Sequence, residues 1–120
     1  MYEVVVKSDF SSAHRLRGYN GKCENLHGHN WLVEAAVSSK TLDKTGLLID
    51  FRILKNKLKD ILDALDHTNL NDLSSFRKKN PTSENLAKFI FDCLKKDGLA
   101  PNRVSVWESD TSCASYFGRK

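Results

Sequence analysis

Three histidines stand where they could bind one metal ion. His27 and His29 flank Gly28 on a segment that we predict to be a β-strand, and alternate residues of a strand project from the same face. His14, near the end of the preceding predicted strand, offers a third ring nitrogen. Three histidine ligands with an open fourth position are typical of a catalytic zinc site. The alternative is that these histidines are polar surface residues or hydrogen-bonded core residues.

Cys23 precedes His27 by four residues, in a loop that contains glycine and asparagine. A thiol beside a metal cation ionises readily, and the thiolate is its reactive form. Cys23 could instead be a fourth ligand of a closed structural zinc site, or an inert small apolar residue. We interpret Cys93 and Cys113 as structural. The three cysteines include no close pair, so they can build neither a disulfide framework nor a CxxC metal site within one chain.

Three further residues could transfer protons or bind a polar ligand. In Asp66-His67, the carboxylate could orient the imidazole, which would then carry protons near neutral pH. Alternatively, His67 stabilises the C-terminus of the first predicted helix. Glu108 follows apolar strand residues, where a carboxylate is costly to bury without donors. It lies either at an exposed strand end or opposite a ligand that offers two adjacent N–H groups.

The hydrophobic pattern predicts the strands that position these residues. Alternation indicates strands at residues 2–14, about 27–37, 103–108 and 112–117. In the second strand, alternate residues share one face: His27, His29, Trp31, Val33, Ala35 and Val37.

Between the second and third strands, the period changes to that of two amphipathic helices. Asp50 is the predicted N-cap of the first helix, whose apolar stripe comprises Phe51, Leu54, Leu58, Ile61, Leu62 and Leu65. A loop is predicted over residues 66–80. Pro81-Thr82-Ser83 opens the second helix and Asp97-Gly98 ends it, with a core face of Leu86, Ala87, Ile90, Phe91 and Leu94.

The order β-β-α-α-β-β predicts one α+β domain over residues 1–120, with a four-stranded antiparallel sheet and both helices on one face. Such a sheet leaves two unpaired edges, so we expect the chain to assemble through them.

Composition excludes several classes of protein. The chain has 120 residues, 40% of them hydrophobic and 28% charged, which is ordinary for a globular protein. Its longest apolar runs, Val4–Val6 and Leu47–Ile49, are far too short for a membrane helix. The N-terminus lacks the apolar core of a signal peptide, which predicts a cytoplasmic location. The formal net charge of +4 suits an anionic partner but is dispersed, and we expect no nucleic-acid binding.

Taken together, these residues resemble the 6-pyruvoyl-tetrahydropterin synthase / 6-carboxytetrahydropterin synthase family. The resemblance spans nearly the whole chain in a series of ordered segments: Phe10–Leu16, Cys23–His29, Gly46 to Phe51, Leu65–His67, Leu70-Asn71, Pro81–Asn85 and Val106–Glu108.

The resemblance implies zinc bound by His14, His27 and His29. It makes Cys23 the proton-abstracting thiolate, with Asp66 and His67 as the partnering proton-transfer pair. Glu108 would anchor the pterin, and Thr82 and Ser83 would add polar contacts, although these two residues could equally cap the second helix. The family has the tunnelling fold, in which two trimers stack into a hexamer with active sites between subunits.

The CxxxHGH spacing resembles the 6-carboxytetrahydropterin synthases of queuosine (7-deazaguanine) biosynthesis. This implies conversion of 7,8-dihydroneopterin triphosphate to 6-carboxytetrahydropterin, acetaldehyde and triphosphate. Glu24, directly after Cys23, resembles a subgroup that also forms 6-hydroxymethyl-dihydropterin for folate. The chain could instead have 6-pyruvoyl-tetrahydropterin synthase activity, or be a zinc hydrolase, or be a non-catalytic zinc-containing domain that binds RNA or a protein.

Overall fold

The computed structural model describes residues 1–19 and 24–118. Its strands form one antiparallel sheet in the order β1-β2-β3-β4, comprising β1 (Tyr2–His14), β2 (His27–Ser39), β3 (Arg103–Ser109) and β4 (Ser112–Phe117). Two helices, α1 (Phe51–Asp63) and α2 (Ser83–Lys96), lie between β2 and β3 in the chain. The predicted α+β class and the β-β-α-α-β-β order are confirmed. Two short 3-10 helices, Leu70–Asp72 and Ser74–Phe76, lie where a loop was predicted.

One face of the sheet carries the core. In β2, Trp31, Val33 and Ala35 are fully buried, as the alternation predicted. Helix α1 packs on β1, whereas α2 packs on β3 and β4, so both helices cover this same face. Trp31 stacks on Phe10 with ring centroids 5.9 Å apart, and its indole N–H donates to the backbone oxygen of Ser12. This packing anchors the part of the sheet that carries the histidines.

Helix α1 begins as predicted, because Asp50 accepts a hydrogen bond from the Arg52 backbone N–H at 2.8 Å. The predicted apolar stripe is buried from Leu54 onward, whereas Phe51, its first residue, is 58% exposed. Helical side chains lean toward the N-terminus, and Phe51 is the first helical residue, so it projects beyond the packed part of the helix. The helix ends at Asp63, before Asp66 and His67.

Helix α2 has matched signals at its two ends. Thr82 caps its N-terminus by accepting from the Asn85 backbone N–H at 3.1 Å. Gly98, with φ of 89°, follows its C-terminus, and the Leu99 N–H donates to the Leu94 oxygen at 3.1 Å. The predicted core face of α2 is buried throughout. Neither α1, α2 nor any other helix among the described residues has the length and apolar character to cross a lipid bilayer.

Candidate active site

Strand register brings the three predicted histidines together. β1 and β2 pair so that His14 lies opposite His27 and Ser12 lies opposite His29. The Nε2 atoms of His14 and His27 are 3.1 Å apart. One ligand atom from each of His14, His27, His29 and Glu108 falls within 4.8 Å of all the others. We call these four residues the His–Glu cluster. Its side chains could hold one metal ion.

Backbone carbonyls fix two of the imidazoles with Nε2 toward the shared centre. The Nδ1 atom of His14 donates to the Pro81 oxygen at 2.7 Å, and that of His27 donates to the Asn25 oxygen at the same distance. Since a carbonyl oxygen can only accept, each ring carries its proton on Nδ1. Its Nε2 then keeps a free lone pair, as a metal ligand requires.

Burial keeps two of these histidines neutral. Loss of solvent contact lowers the pKa of both His14 and His29, and it outweighs the Glu108 carboxylate, which acts in the opposite direction. The ring of Trp31 lies 4.9 Å from that of His14 and 5.1 Å from that of His29, centroid to centroid, and closes the apolar side of the cluster. A neutral imidazole is the form that binds metal.

Glu108 joins the histidines, which the sequence did not indicate. It lies where the β3–β4 register shifts between Trp107 and Ser109, and such a bulge re-aims a side chain. Its Oε1 atom is 2.9 Å from His29 Nε2 and 3.5 Å from His14 Nε2. His29 Nε2 is buried, and the approach of Glu108 does not have hydrogen-bond geometry. A buried nitrogen without a hydrogen bond, beside two free Nε2 lone pairs, fits three ligands of a tetrahedral zinc ion whose fourth position stays open.

Asp66 and His67 are in contact, as one interpretation of the sequence required. Asp66 Oδ2 lies 2.9 Å from His67 Nδ1, while Oδ1 accepts from the Ser11 backbone N–H at 2.8 Å. The Ser11 N–H, followed by the contact with His67, lowers the pKa of the Asp66 carboxyl. His67 has a φ of 52°, and its own N–H donates to the Ser11 oxygen at 2.6 Å.

The His67 side chain is 82% exposed. Among residues 1–19 and 24–118, no hydrogen bond or ion pair joins Asp66 or His67 to the His–Glu cluster. Asp66 and His67 therefore contact each other, but the imidazole faces the outside of this chain.

The structure describes two of the three cysteines. Cys23, the predicted thiolate, lies outside the described residues, whereas the neighbouring Glu24 is described and exposed. Burial raises the pKa of the partly buried Cys93 thiol, in keeping with a structural residue. Cys113 is exposed. It lies on β4, at the edge of the sheet, where alternate residues face away from the helices.

A cleft of about 150 Å³ adjoins the His–Glu cluster and is lined by Ser83, Glu84, Glu108, Ser112, Cys113 and Ala114. Ser83 therefore lines the space that a ligand held by Glu108 would occupy. The Thr82 hydroxyl caps α2, which is the capping role that its position in the sequence also allowed. Glu108 thus marks the boundary between the histidines and this cleft.

The groups that support the site were not indicated by the sequence. The carbonyls of Pro81 and Asn25, the backbone N–H of Ser11 and the amides of Asn71 and Asn80 all hold predicted site residues or their neighbours. A backbone group carries no residue-type signal. The asparagines were visible as polar residues in a predicted loop, but nothing in the loop indicated their partners.

Known proteins share this arrangement of elements along the whole chain. The family model for 6-pyruvoyl tetrahydropterin synthase matches residues 3–119. The chain is 37% identical to the 6-carboxy-5,6,7,8-tetrahydropterin synthase of Synechocystis, over 98% of this chain and 94% of that protein. It is 32% identical to the Haemophilus influenzae protein of the same name, over 97% and 99% of the two chains.

The fold is shared with solved structures. The 6-pyruvoyl tetrahydropterin synthase of Caenorhabditis elegans superposes with a TM-score of 0.86 and 30% identity, covering 99% of this chain and 98% of that one. This agreement confirms the tunnelling fold implied by the resemblance. Continuous similarity in both sequence and fold leaves one assignment: the chain belongs to the 6-pyruvoyl tetrahydropterin synthase family of enzymes.

Proposed function

We propose that this protein is a zinc-dependent 6-carboxy-5,6,7,8-tetrahydropterin synthase. Its substrate would be 7,8-dihydroneopterin triphosphate, which reacts with water to give 6-carboxytetrahydropterin, acetaldehyde and triphosphate. The observation that carries the proposal is the convergence of three imidazoles and a carboxylate within 4.8 Å at the edge of a cleft. The names of the Synechocystis and Haemophilus influenzae relatives favour the carboxy product, which belongs to queuosine biosynthesis.

The zinc ligands would be His14, His27 and His29, each through a ring nitrogen. Zinc bound there would act as a Lewis acid that polarises the side-chain hydroxyl oxygens of the substrate. Pro81 and Asn25 support this role, because their carbonyls keep the Nε2 atoms of His14 and His27 unprotonated.

Proton transfer would fall to the remaining polar residues. Cys23, as a thiolate, would take a proton from the substrate side chain, and His67 would return one elsewhere on the substrate. Asp66 would hold the His67 ring through Nδ1, which leaves Nε2 to exchange the proton. Since the Ser11 N–H lowers the pKa of the Asp66 carboxyl, Asp66 stays ionised near neutral pH and can accept a hydrogen bond from His67 Nδ1.

Glu108 would recognise the pterin. The 2-amino-4-oxo pyrimidine ring offers two adjacent N–H donors, and a carboxylate can accept both. Ser83 lines the same cleft and would contact the ring, with Thr82 holding the helix end from which Ser83 projects. The formal charge of +4 would help to recruit the triphosphate.

The active unit would be a cytoplasmic homohexamer built from two trimers. Two observations favour a site shared between chains: the His67 ring points outward, and β4 lies at an open edge of the sheet. Asp66 and His67 of one chain would then serve the His–Glu cluster of a neighbour.

The test of the proposed activity is product identification by mass spectrometry after incubation with 7,8-dihydroneopterin triphosphate. Formation of 6-carboxytetrahydropterin and acetaldehyde would support it. The 6-pyruvoyl compound as sole product would assign the protein to the pyruvoyl-forming activity that gives the family its name. A 6-hydroxymethyl-dihydropterin alongside the carboxy product would indicate a bifunctional enzyme in which the exposed Glu24 takes part. No turnover by folded, zinc-loaded protein would favour a non-catalytic binding domain.

A further inference from the structure

The chain leaving β1 is held by two side-chain amides that imitate a neighbouring strand. Asn71 accepts from the Arg15 N–H at 2.8 Å and donates to the Arg15 oxygen at 3.0 Å. Asn80 makes the same pair of bonds with Arg17, both at 2.9 Å. Each asparagine thus bonds both the backbone N–H and the backbone oxygen of one residue. The two residues held in this way, Arg15 and Arg17, follow shortly after His14.

The clamp at Asn80 also fixes the position of the residue that follows it. The Asn80 backbone oxygen accepts from the Asn85 side-chain amide at 2.8 Å. Asn80 is therefore held through its side chain by the segment after β1, and through its backbone by helix α2. Pro81 comes next, and its carbonyl accepts from His14 Nδ1 at 2.7 Å.

His14 depends on that carbonyl more than a surface histidine would. Its side chain is 3% exposed, so solvent cannot replace the Pro81 oxygen as the partner of Nδ1. A buried ring without this acceptor could carry its proton on Nε2 instead, where the proton would block the lone pair that faces the His–Glu cluster.

We propose that Asn80 is a positioning residue for His14. By clamping Arg17 and being held by Asn85, it keeps the Pro81 carbonyl in place, and this keeps the His14 proton on Nδ1 and its Nε2 free to bind metal. The inference rests on the proposed zinc-binding role of His14, but the tautomer of His14 can be measured without any metal.

The test compares the wild-type protein with Asn80→Ala, using two readouts. The first is the His14 tautomer in metal-free protein, from long-range ¹H–¹⁵N correlation spectra at about pH 8, where histidines are neutral. The second is the zinc dissociation constant, measured by competition with a chromogenic chelator. We expect Asn80→Ala to move His14 toward the Nε2–H tautomer and to weaken zinc binding about tenfold, the lower end of the effect of losing an outer-shell partner.

Two further variants separate positioning from general loss of stability. Asp50→Ala removes the cap of α1, away from the His–Glu cluster, and should lower the unfolding temperature while leaving the tautomer and zinc affinity unchanged. Asn85→Ala keeps the Arg17 clamp but leaves the Asn80 carbonyl with the Thr82 backbone N–H, at 2.9 Å, as its remaining donor, and should show the Asn80→Ala changes in weaker form. If Asn80→Ala does not fold, Asn85→Ala alone decides the proposal.

Unchanged His14 tautomer and zinc affinity in a folded Asn80→Ala variant would overturn the positioning role, as would equal changes in Asp50→Ala. If the wild-type protein does not bind zinc, the proposed function fails. The tautomer readout then still supports or overturns the role of Asn80.

Discussion

The backbone N–H of Ser11 donates to Asp66 Oδ1 at 2.8 Å, so the strand that ends in His14 also holds the carboxylate that orients His67. The His67 N–H donates to the Ser11 oxygen at 2.6 Å, and the Ala13 N–H donates to the Thr68 oxygen at 3.0 Å. The free edge of β1 is therefore covered near its end by the segment that carries Asp66 and His67. The proposed metal ligand His14 and the proposed proton-transfer residues Asp66 and His67 are therefore held by the same stretch of β1 backbone.

The Ser11–Asp66 contact predicts a pH-dependent contribution to stability. Because the hydrogen bond lowers the pKa of the Asp66 carboxyl in the folded state, its stabilisation is present above the unfolded pKa of about 3.9 and is lost as pH falls through the lower folded value. Asp66→Asn keeps an oxygen for Ser11 but removes the charge. In chemical denaturation, the wild-type advantage over Asp66→Asn should hold from about pH 7 to 5 and shrink below about pH 4.

Asp63→Asn provides the control for this experiment, because Asp63 contacts the exposed ammonium of Lys59 at the end of α1. Its stability difference from the wild type should be small at every pH. A gap between wild type and Asp66→Asn that stays constant down to about pH 3 would contradict the role of the Ser11 hydrogen bond.

Removing one ring from the His–Glu cluster should abolish specific zinc binding. His29→Ala deletes a nitrogen that is buried and without a hydrogen bond, so we expect zinc affinity to fall by more than about 100-fold, beyond the loss of an outer-shell partner. His67→Ala is the matched control, because its ring is 82% exposed and contacts Asp66 instead. Dialysis followed by metal analysis provides the measurement, and equal zinc contents in the two variants would argue against the cluster as the metal site.

Glu108→Gln should separate pterin recognition from metal binding. A glutamine cannot accept from both ring N–H groups, and losing a charged hydrogen bond costs about 1.5–3 kcal/mol. We therefore expect KM to rise about 10- to 100-fold while zinc content stays at wild-type level. Glu84→Gln, on the wall of the same cleft, should have a smaller effect. Loss of zinc from Glu108→Gln with unchanged KM would instead make Glu108 a metal ligand.

A site shared between chains predicts complementation between two inactive variants. Cys23→Ala and His67→Ala should each lower turnover by about 100-fold or more, because each removes a proton-transfer group. If Cys23 and His67 of one site come from different chains, mixed oligomers restore some intact sites. Random mixing in equal amounts should restore about one site in four. Refolding the two variants together and assaying turnover provides the test.

The control for complementation is co-refolding of Cys23→Ala with His29→Ala, because one chain is expected to supply both Cys23 and the metal ligands of a site. In this mixture no chain carries both an intact Cys23 and an intact His–Glu cluster, so no turnover should return. Recovery in this control, or no recovery when Cys23→Ala is mixed with His67→Ala, would contradict the shared site.

Much of the fold was predictable because alternation and helical periodicity report directly on burial. The face that carries His27, His29 and Trp31 was correct, since strand residues two apart must share a face. The predicted cap at Asp50 was also correct, because a carboxylate just before a helix can accept from the unpaired backbone N–H groups of its first turn. The exposure of Phe51 was not predictable, because periodicity does not show where along a helix the packing begins.

The candidate site was predictable in its residue types but not in its scaffolding. The chain has four histidines and three cysteines, which is few enough for their spacing to be informative. The approach of Glu108 to His29 depends on a β-bulge, and the His14 tautomer depends on a backbone oxygen of Pro81, neither of which leaves a pattern in the sequence. Tertiary contacts of this kind join residues that are far apart in the chain.

The most direct test of zinc-dependent catalysis is turnover of 7,8-dihydroneopterin triphosphate by protein stripped of metal with a chelator, followed by titration with zinc. The proposed catalytic site predicts that the stripped protein keeps its circular dichroism spectrum, loses turnover, and regains it at about one zinc ion per chain. Full turnover by metal-free protein would contradict a catalytic role for the His–Glu cluster. Unfolding on removal of zinc would instead make the ion structural.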